Sequence, residues 1–556
     1  MRFAILQTNS LIGDVHRNFE KIRALIEENK ANADLFITCE QALIGYPARD
    51  LLGQQRILQQ EKTCLESLRM LTAQLGVGLL VGHCESRRGP GKPLYNSATL
   101  FDSGRALGTV RKRRLPSYDI FDDERFFEPG RSQESSTLEF RGLKVGVSIC
   151  EDIWTSTLAF GVRDVRTYEN TSYPRFDPTC DVLINLSASP FAQKKRDIRE
   201  DLATSLASRQ SAPLIYCNSV GGQDDLIFDG HSFFCNAQGQ TSLRAPGFQE
   251  ALLVATLKDK EWQNPSSNTK LFSDEEETLQ ALLLGLQDFV EKSKGQKVVL
   301  GLSGGIDSAL CATLAAEALG PKNVLGISLP SQITSELSRS DARELASRLG
   351  IEFREIAIAS TVESVRTGAN IQPGIALENL QSRTRGLILT TLANQESRLV
   401  LSTGNKSELA MGYSTLYGDL CGAICPIGDL YKTEVYALSH FLNRRAVAAG
   451  KQAPIPEATL TRPPTAELSE GQKDSDSLPE YDILDGILRE LIENQGQTIF
   501  PEEQWDKILA PKFTVEALRI KYLSQEFKRR QAPPILKIHQ RSFGSGWKFP
   551  VCKGVS

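Results

Sequence analysis

Residues 297–308 read KVVLGLSGGIDS, an apolar run that breaks at a pair of glycines and reopens as a helix. Lys297–Leu302 reads as a buried strand, and Ser303–Ser308 as the turn and first helical residues after it. Small residues in such a turn let backbone N–H groups approach phosphate oxygens, and the helix N-terminus adds a favourable dipole. The stretch is not a Walker A loop, because no GxxxxGK[ST] is present. An SGG triplet alone is a common turn; the full hexapeptide after VVLGL is what gives it weight.

Outward from that strand the pattern is α/β on both sides. Toward the C-terminus, alternation continues to about Leu442, and from Ala453 onward Pro, Ser and Asp predict loop with short helices. Toward the N-terminus, Asp259–Ser273 (DKEWQNPSSNTKLFS) is polar, and Ser273-Asp-Glu-Glu276 has the form of a capping box opening a helix. Before it, short apolar runs recur: Arg2–Thr8, Asp34–Cys39, Gly76–Gly82, Ser97–Phe101, Leu143–Ile149, Val182–Leu186 and Leu214–Asn218. Helices are predicted over Asn18–Asn32, Leu51–Leu75 and Arg196–Gln210. Strands interleaved with helices indicate layered α/β domains. The expected division is a domain over 1–260, a linker over 261–280 and a second domain with its tail over 281–556.

Composition narrows the function. The chain has 556 residues, with 64 Lys+Arg against 68 Asp+Glu, a net charge of −4 that disfavours nucleic acid as a partner. No apolar run of about 18 residues marks a membrane span, and no secretory leader pattern opens the chain, so a cytoplasmic location is expected. Eleven cysteines lie scattered without a CxxC pair, which predicts reduced thiols, and five histidines without HExxH argue against a zinc enzyme.

Polar residues stand where three apolar runs end: Glu40 after DLFITC, Cys150 after LKVGVSI, and Asn185 at VLINL. Side chains at strand ends of α/β folds converge on one crevice. The chemistry that suits them is amide cleavage through a thioester. A free thiol is mostly protonated at neutral pH, so a carboxylate such as Glu40 would take its proton and return it to ammonia. A lysine would lower the thiol pKa and hold the oxyanion. Taken singly, Cys150 also reads as a buried structural thiol, Lys112 as a solvated charge and Glu40 as a helix cap.

Taken together, Glu40 (CEQALIGYPARD), Lys112 (RKRRLPSYDIFDDERFFEPG), Cys150 (VSICEDIW) and Asn185–Phe191 (NLSASPF) resemble the nitrilase/amidase superfamily across residues 1–260. The resemblance implies a nitrilase-like α-β-β-α sandwich with a Glu40–Lys112–Cys150 triad. More narrowly, the segment is similar to the glutaminase domains of glutamine-dependent NAD synthetases, which implies Tyr118, Glu151, Ser189 and Lys195 as glutamine-binding residues. Leu158–Cys180 is longer than that pattern.

SGGxDS in turn resembles the ATP-pyrophosphatase superfamily. That implies a Rossmann-like (adenine nucleotide alpha hydrolase-like) α/β domain. It also implies Gly301, Leu302, Ser303, Gly304, Gly305, Ile306, Asp307 and Ser308 at ATP. LSTGNKSE (401–408), GYSTLYGD (412–419), ENLQSRTR (378–385), RPPTAE (462–467), LPEY (478–481) and EFKRRQAPP (526–534) resemble NAD synthetases through residues 280–550. By that resemblance Thr403 and Lys432 meet ATP, Asn379, Glu408 and Lys528 meet deamido-NAD, and Asp307 and Glu408 hold Mg2+. Leu416, Gly428 and Asp429 depart from residues that some or many ammonia-only synthetases carry there. Taken alone, the Lys-rich EFKRRQ stretch reads as a solvated helix.

The two resemblances imply one reaction: ammonia from L-glutamine amidates deamido-NAD after its adenylation by ATP. They further imply an internal path for ammonia and a homo-oligomer formed through the synthetase domain. Asparagine synthetase, GMP synthetase and tRNA-thiolating enzymes fit less well. Position 2 is Arg rather than Cys, no Cys–His motif occurs, and Cys421 and Cys425 form no CxxC.

Overall fold

The computed structural model describes residues 1–154, 174, 176–263, 269, 271–464, 467–469, 474, 477–494, 502–509 and 511–554. Most of the long Leu158–Cys180 segment, and Thr465 and Ala466 of RPPTAE, lie outside the described residues. The chain forms two compact units, the first ending at Phe272 and the second opening at Ser273. Ordered elements enter the stretch read as linker from both sides. Glu261–Gln263 pairs with Ala251–Lys258 at a sheet edge, and a helix runs over Asp274–Lys292. Ser273 caps that helix by accepting from Glu276 N (3.3 Å), while the Glu276 carboxylate accepts from Gln280 (2.7 Å), so only the serine half of the capping box forms.

Among the described residues the first unit holds two large sheets. One has the order Glu261–Gln263, Ala251–Lys258, Arg2–Gln7, Leu35–Ile37, Gly78–Ser86, Leu94–Asp102, Arg105–Arg111. The other runs Thr241–Arg244, Phe233–Cys235, Leu214–Asn218, Val182–Ser187, Leu143–Ile149, Thr137–Phe140. Alternation along each strand stacks them. Phe3, Ile5, Leu35 and Ile37 share an apolar cluster with Val145, Val147, Val182 and Ile184 of the other sheet. Their neighbours Ala4, Leu6 and Phe36 face outward, onto Ile22 and Ile26 of helix Val15–Asn29 and Leu68 of helix Gln55–Leu75. On the far side Leu183, Leu214 and Tyr216 pack against Leu202 and Leu206 of helix Lys195–Gln210. The layers are helix, sheet, sheet, helix, as expected. Burial on both faces is why these strands read as continuous apolar runs.

The second unit is built on a parallel sheet ordered Glu352–Glu355, Val324–Ser328, Lys297–Gly301, Arg398–Val400. Successive strands step one way from Lys297–Gly301, and the last returns to its other side. The carboxyl ends of Lys297–Gly301 and Arg398–Val400 therefore flank the switch point where such sheets bind ligands. The tail is loop with short helices among the described residues, as expected, and it packs into an apolar core. Leu484, Ile487 and Leu488 of helix Tyr481–Arg489 join Leu409, Ala410, Met411, Leu518 and Trp547 in one apolar cluster. Half-buried Leu416 packs against that cluster. A Cβ on Gly428 would lie 2.9 Å from Cys425 Sγ and 3.0 Å from Ile535, so close packing requires glycine there.

Candidate active sites

In the first unit three strand ends meet. Leu143–Ile149 delivers Cys150, which opens a short 3-10 turn at φ 42°, a left-handed conformation that a non-glycine residue holds only under constraint. Glu40 follows Leu35–Ile37, and Lys112 follows Arg105–Arg111. Glu40, Lys112 and Cys150 are buried, with 1%, 1% and 5% of their surfaces exposed. Lys112 Nζ donates to Glu40 Oε1 and to Asp123 Oδ2, both at 2.7 Å. Burial alone would strip this ammonium of its proton; Asp123 and Glu40 outweigh it and hold the pKa well above the usual lysine value. Burial, aided by the Glu40 charge, pushes the Cys150 thiol up, against the opposing pull of Lys112. The resting nucleophile is thus a neutral thiol that needs a base when it reacts.

Three further residues complete this set without having been read from the sequence. Asp123 gives Lys112 its second carboxylate and accepts from Tyr46 OH (3.0 Å). Asn96 donates to Glu40 Oε1 (2.7 Å). Asp152 ties the lysine segment to the nucleophile turn: Oδ1 accepts from Arg113 N (2.9 Å) and Arg114 N (3.0 Å), and Oδ2 from Ile149 N (3.1 Å). The acidic run FDDERFF and the CED triplet were the only sequence signals for Asp123 and Asp152.

The residues expected at glutamine gather around this core. Tyr118 OH donates to Glu151 Oε1 (3.0 Å). Ala188 N donates to Glu40 Oε2 (3.0 Å), which brings the NLSASPF loop to the base. Ser189 is held through its backbone, N to Asn218 Oδ1 (2.9 Å) and O from Arg199 (3.2 Å). Lys195 Nζ lies over the rings of Phe121 (5.4 Å) and Trp154 (6.0 Å). Burial, with Arg199 nearby, lowers its pKa to about 8.

In the second unit Lys297–Gly301 runs into the glycine turn and helix Ile306–Leu319. Gly304 sits at φ +81°, and a Cβ there would fall 2.4 Å from Ser338 O. Leu302 and Ile306 are buried in the core, so their side chains anchor the turn. Ser303 Oγ accepts from Gly305 N (3.2 Å), and Ser308 Oγ donates to Gly305 O (3.0 Å).

Asp307 joins residues far away in sequence: Oδ1 accepts from Asn405 Nδ2 (2.9 Å) and Oδ2 from Lys432 Nζ (2.5 Å). Lys432 also reaches Glu408 Oε1 (3.2 Å). Burial drives Glu408 up to about 8, Asp307 adding to the rise and Lys432 opposing it. Asn405 and Glu408 form a capping box that opens helix Lys406–Met411, and half-buried Thr403 precedes it in the same loop. Asn379 accepts from Thr415 Oγ1 (2.8 Å), and Lys528 donates to Gly412 O (2.6 Å) and Ser414 O (2.7 Å). The EFKRRQ stretch is therefore docked rather than solvated. Asn379 and Lys528 meet on the loop that follows the helix of Glu408, away from the glycine turn in sequence but continuous with it through Glu408. Two carboxylates sharing one ammonium fit Mg2+, which takes one or two carboxylates and completes its shell from phosphates and water. Among the described residues no third metal-ligating side chain joins them.

Comparison with known proteins agrees on both halves. The carbon-nitrogen hydrolase family model matches residues 2–264, and the NAD synthase model matches 278–532. The glutamine-dependent NAD(+) synthetase of Synechocystis sp. is 42% identical over 567 residues, covering 99% of this chain and 98% of that protein. The chain belongs to the glutamine-dependent NAD(+) synthetase family. A second member, from Thermotoga maritima, is 37% identical over 590 residues, with 99% and 98% covered. The solved structure of the Acinetobacter baumannii glutamine-dependent NAD+ synthetase in complex with ADP superposes with a TM-score of 0.75 at 33% identity, covering 99% and 98%.

Proposed function

We propose that the chain makes NAD from deamido-NAD, ATP and L-glutamine, releasing AMP, diphosphate and L-glutamate, the last step of NAD biosynthesis. The observation that carries this is Lys112 bridging two buried carboxylates beside Cys150, in the same polypeptide as the Asp307–Lys432–Glu408 cluster at a glycine turn. The first unit is the glutaminase and the second the synthetase.

In the glutaminase, Glu40 takes the thiol proton as Cys150 Sγ attacks the glutamine carboxamide carbon. Lys112 Nζ and the Glu151 N–H hold the oxyanion. Glu40 returns the proton to the departing nitrogen, the C–N bond breaks, and ammonia leaves a thioester. Water, deprotonated by Glu40, then frees glutamate. Tyr118, Glu151, Ser189 and Lys195 bind the amino-acid end of glutamine.

In the synthetase, the backbone of residues 301–308 cradles the ATP phosphates, with Thr403 and Lys432 beside them. The nicotinate carboxylate of deamido-NAD, held near Asn379, Glu408 and Lys528, attacks the α-phosphorus and displaces diphosphate. Ammonia then attacks the acyl carbon and AMP leaves. Mg2+, held by Asp307 and Glu408, would neutralise charge on the leaving diphosphate. Lys432, which joins those carboxylates in the free protein, turns to the phosphates when ATP binds. Substrates of this kind and free thiols throughout support a cytoplasmic location. Among the described residues no helix is long and apolar enough to cross a membrane. Exposed Ile375 and Leu387 on helix Ile375–Glu396 support assembly of the second unit into a homo-oligomer.

The test supplies ATP, Mg2+ and deamido-NAD with either glutamine or ammonium. NAD and AMP in equal amounts are expected from both, with glutamate from the first. Failure to form NAD from either would overturn the assignment.

A further inference from the structure

Asn96 lies on strand Leu94–Asp102 with the inward parity of Ala98 and Leu100, and it is 1% exposed. It touches both charged members of the glutaminase triad. Its Nδ2 donates to Glu40 Oε1 at 2.7 Å, and its main-chain carbonyl accepts from Lys112 N at 2.8 Å. No donor among the described residues meets its Oδ1. A buried acceptor left unmet costs stability, so a strand selected for packing alone would carry an apolar residue here. The other end of the amide accounts for its presence.

An ionised carboxylate only accepts, so the amide must turn its NH2 toward Glu40 and cannot flip without setting two oxygens in contact. Glu40 then has two donors on Oε1, Lys112 Nζ and Asn96 Nδ2, and one on Oε2, Ala188 N. A carboxylate offers about four lone-pair positions. The three donors leave one of them open, on Oε2.

We propose that Asn96 is a positioning residue for proton transfer. It locks the Glu40 carboxylate so that the open lone pair on Oε2 takes the proton from Cys150 Sγ and returns it to the departing nitrogen. The inference rests on Glu40 being the general base.

The experiment measures glutamine hydrolysis by the full chain carrying Asn96→Ala, Asn96→Asp, Glu40→Gln, or Glu40→Gln with Asn96→Ala. Asn96→Ala is expected to lower kcat about 10- to 100-fold, part of what general-base catalysis supplies, and to leave KM within about threefold. Asn96→Asp keeps the shape but sets an acceptor against Glu40 Oε1, and is expected to lower kcat as well. That separates the effect from a folding defect. The double variant should be no slower than Glu40→Gln alone, because Asn96 acts through Glu40. Ordinary kcat in both Asn96 variants, or losses that multiply in the double variant, would overturn the proposal while leaving the base assignment intact. Ordinary hydrolysis by Glu40→Gln would remove the base assignment and this inference with it.

Discussion

The two sites handle buried charge in opposite ways. In the first unit Lys112 is held between Glu40 and Asp123, all three buried. In the second, Lys432 draws Asp307 and Glu408 together beside the glycine turn. The first site stands assembled; under the proposed function the second neutralises its own charge and would be opened by its ligands. A thiol nucleophile needs its base and cation fixed in advance, whereas phosphates bring charge that can replace an internal ion pair.

The sharpest way to break this contrast is Asp307→Ala. Losing the carboxylate that ties Lys432 to the glycine turn should reduce NAD formation from glutamine and from ammonium alike, by about 100- to 1,000-fold. Glutamine hydrolysis should persist. Substantial synthesis by this variant would remove Asp307 from the nucleotide site.

Lys112→Met tests the preassembled site. Two buried carboxylates would lose their shared cation, an expected cost of about 3–5 kcal/mol in urea unfolding together with loss of glutaminase activity. An unchanged urea midpoint would mean that the ion triad is not what holds the first site.

Gly304→Ala is subtler. Its Cβ would meet Ser338 O at 2.4 Å in a left-handed backbone, so the turn must shift. The KM for ATP should rise about tenfold, equivalent to ~1.4 kcal/mol. Gly305→Ala, whose nearest neighbour is Ser303 Oγ at 3.3 Å, should change it less. Equal effects would argue against a tight approach at Gly304.

Much of this was legible before the structure, and what was missed has a common cause. Leu143–Ile149 and Leu214–Asn218 read as strands at the bounds they adopt, because runs buried on both faces leave a local signal. The first helix begins at Val15 rather than Asn18, since Asp14 caps it by accepting from Arg17 N (3.1 Å), ahead of the apolar period. Glu40, Lys112 and Cys150 were marked by strand ends and motifs. Asn96 was not, because its meaning lies in a contact 56 residues away. Asp429 stood out as a departure, and its reason emerges only in three dimensions. It is buried, accepts from Ile538 N and His539 N (both 2.7 Å), and pairs with Lys406 (3.0 Å), fastening the tail beneath helix Lys406–Met411.

That same hub gives the smallest effect. Burial and Lys406 press the His539 pKa down, but Glu434 and Asp429 win and lift it to about 9. A raised folded pKa stabilises fully below the unfolded value of about 6.5 and is lost as pH rises through about 9. The melting temperature should therefore fall across that window, and His539→Gln should flatten the fall. A wild-type melting temperature constant from pH 6.5 to 9 would show that the hub does not titrate there.

The central claim, that nitrogen released at Cys150 is consumed at the second site, is tested by supplying amide-15N glutamine, ATP, Mg2+ and deamido-NAD, with or without unlabelled ammonium. The parent protein should make NAD with 15N in its carboxamide. Cys150→Ala should incorporate no label yet still make unlabelled NAD once ammonium is present. Labelled NAD from Cys150→Ala, or no NAD from it with ammonium, would contradict the account.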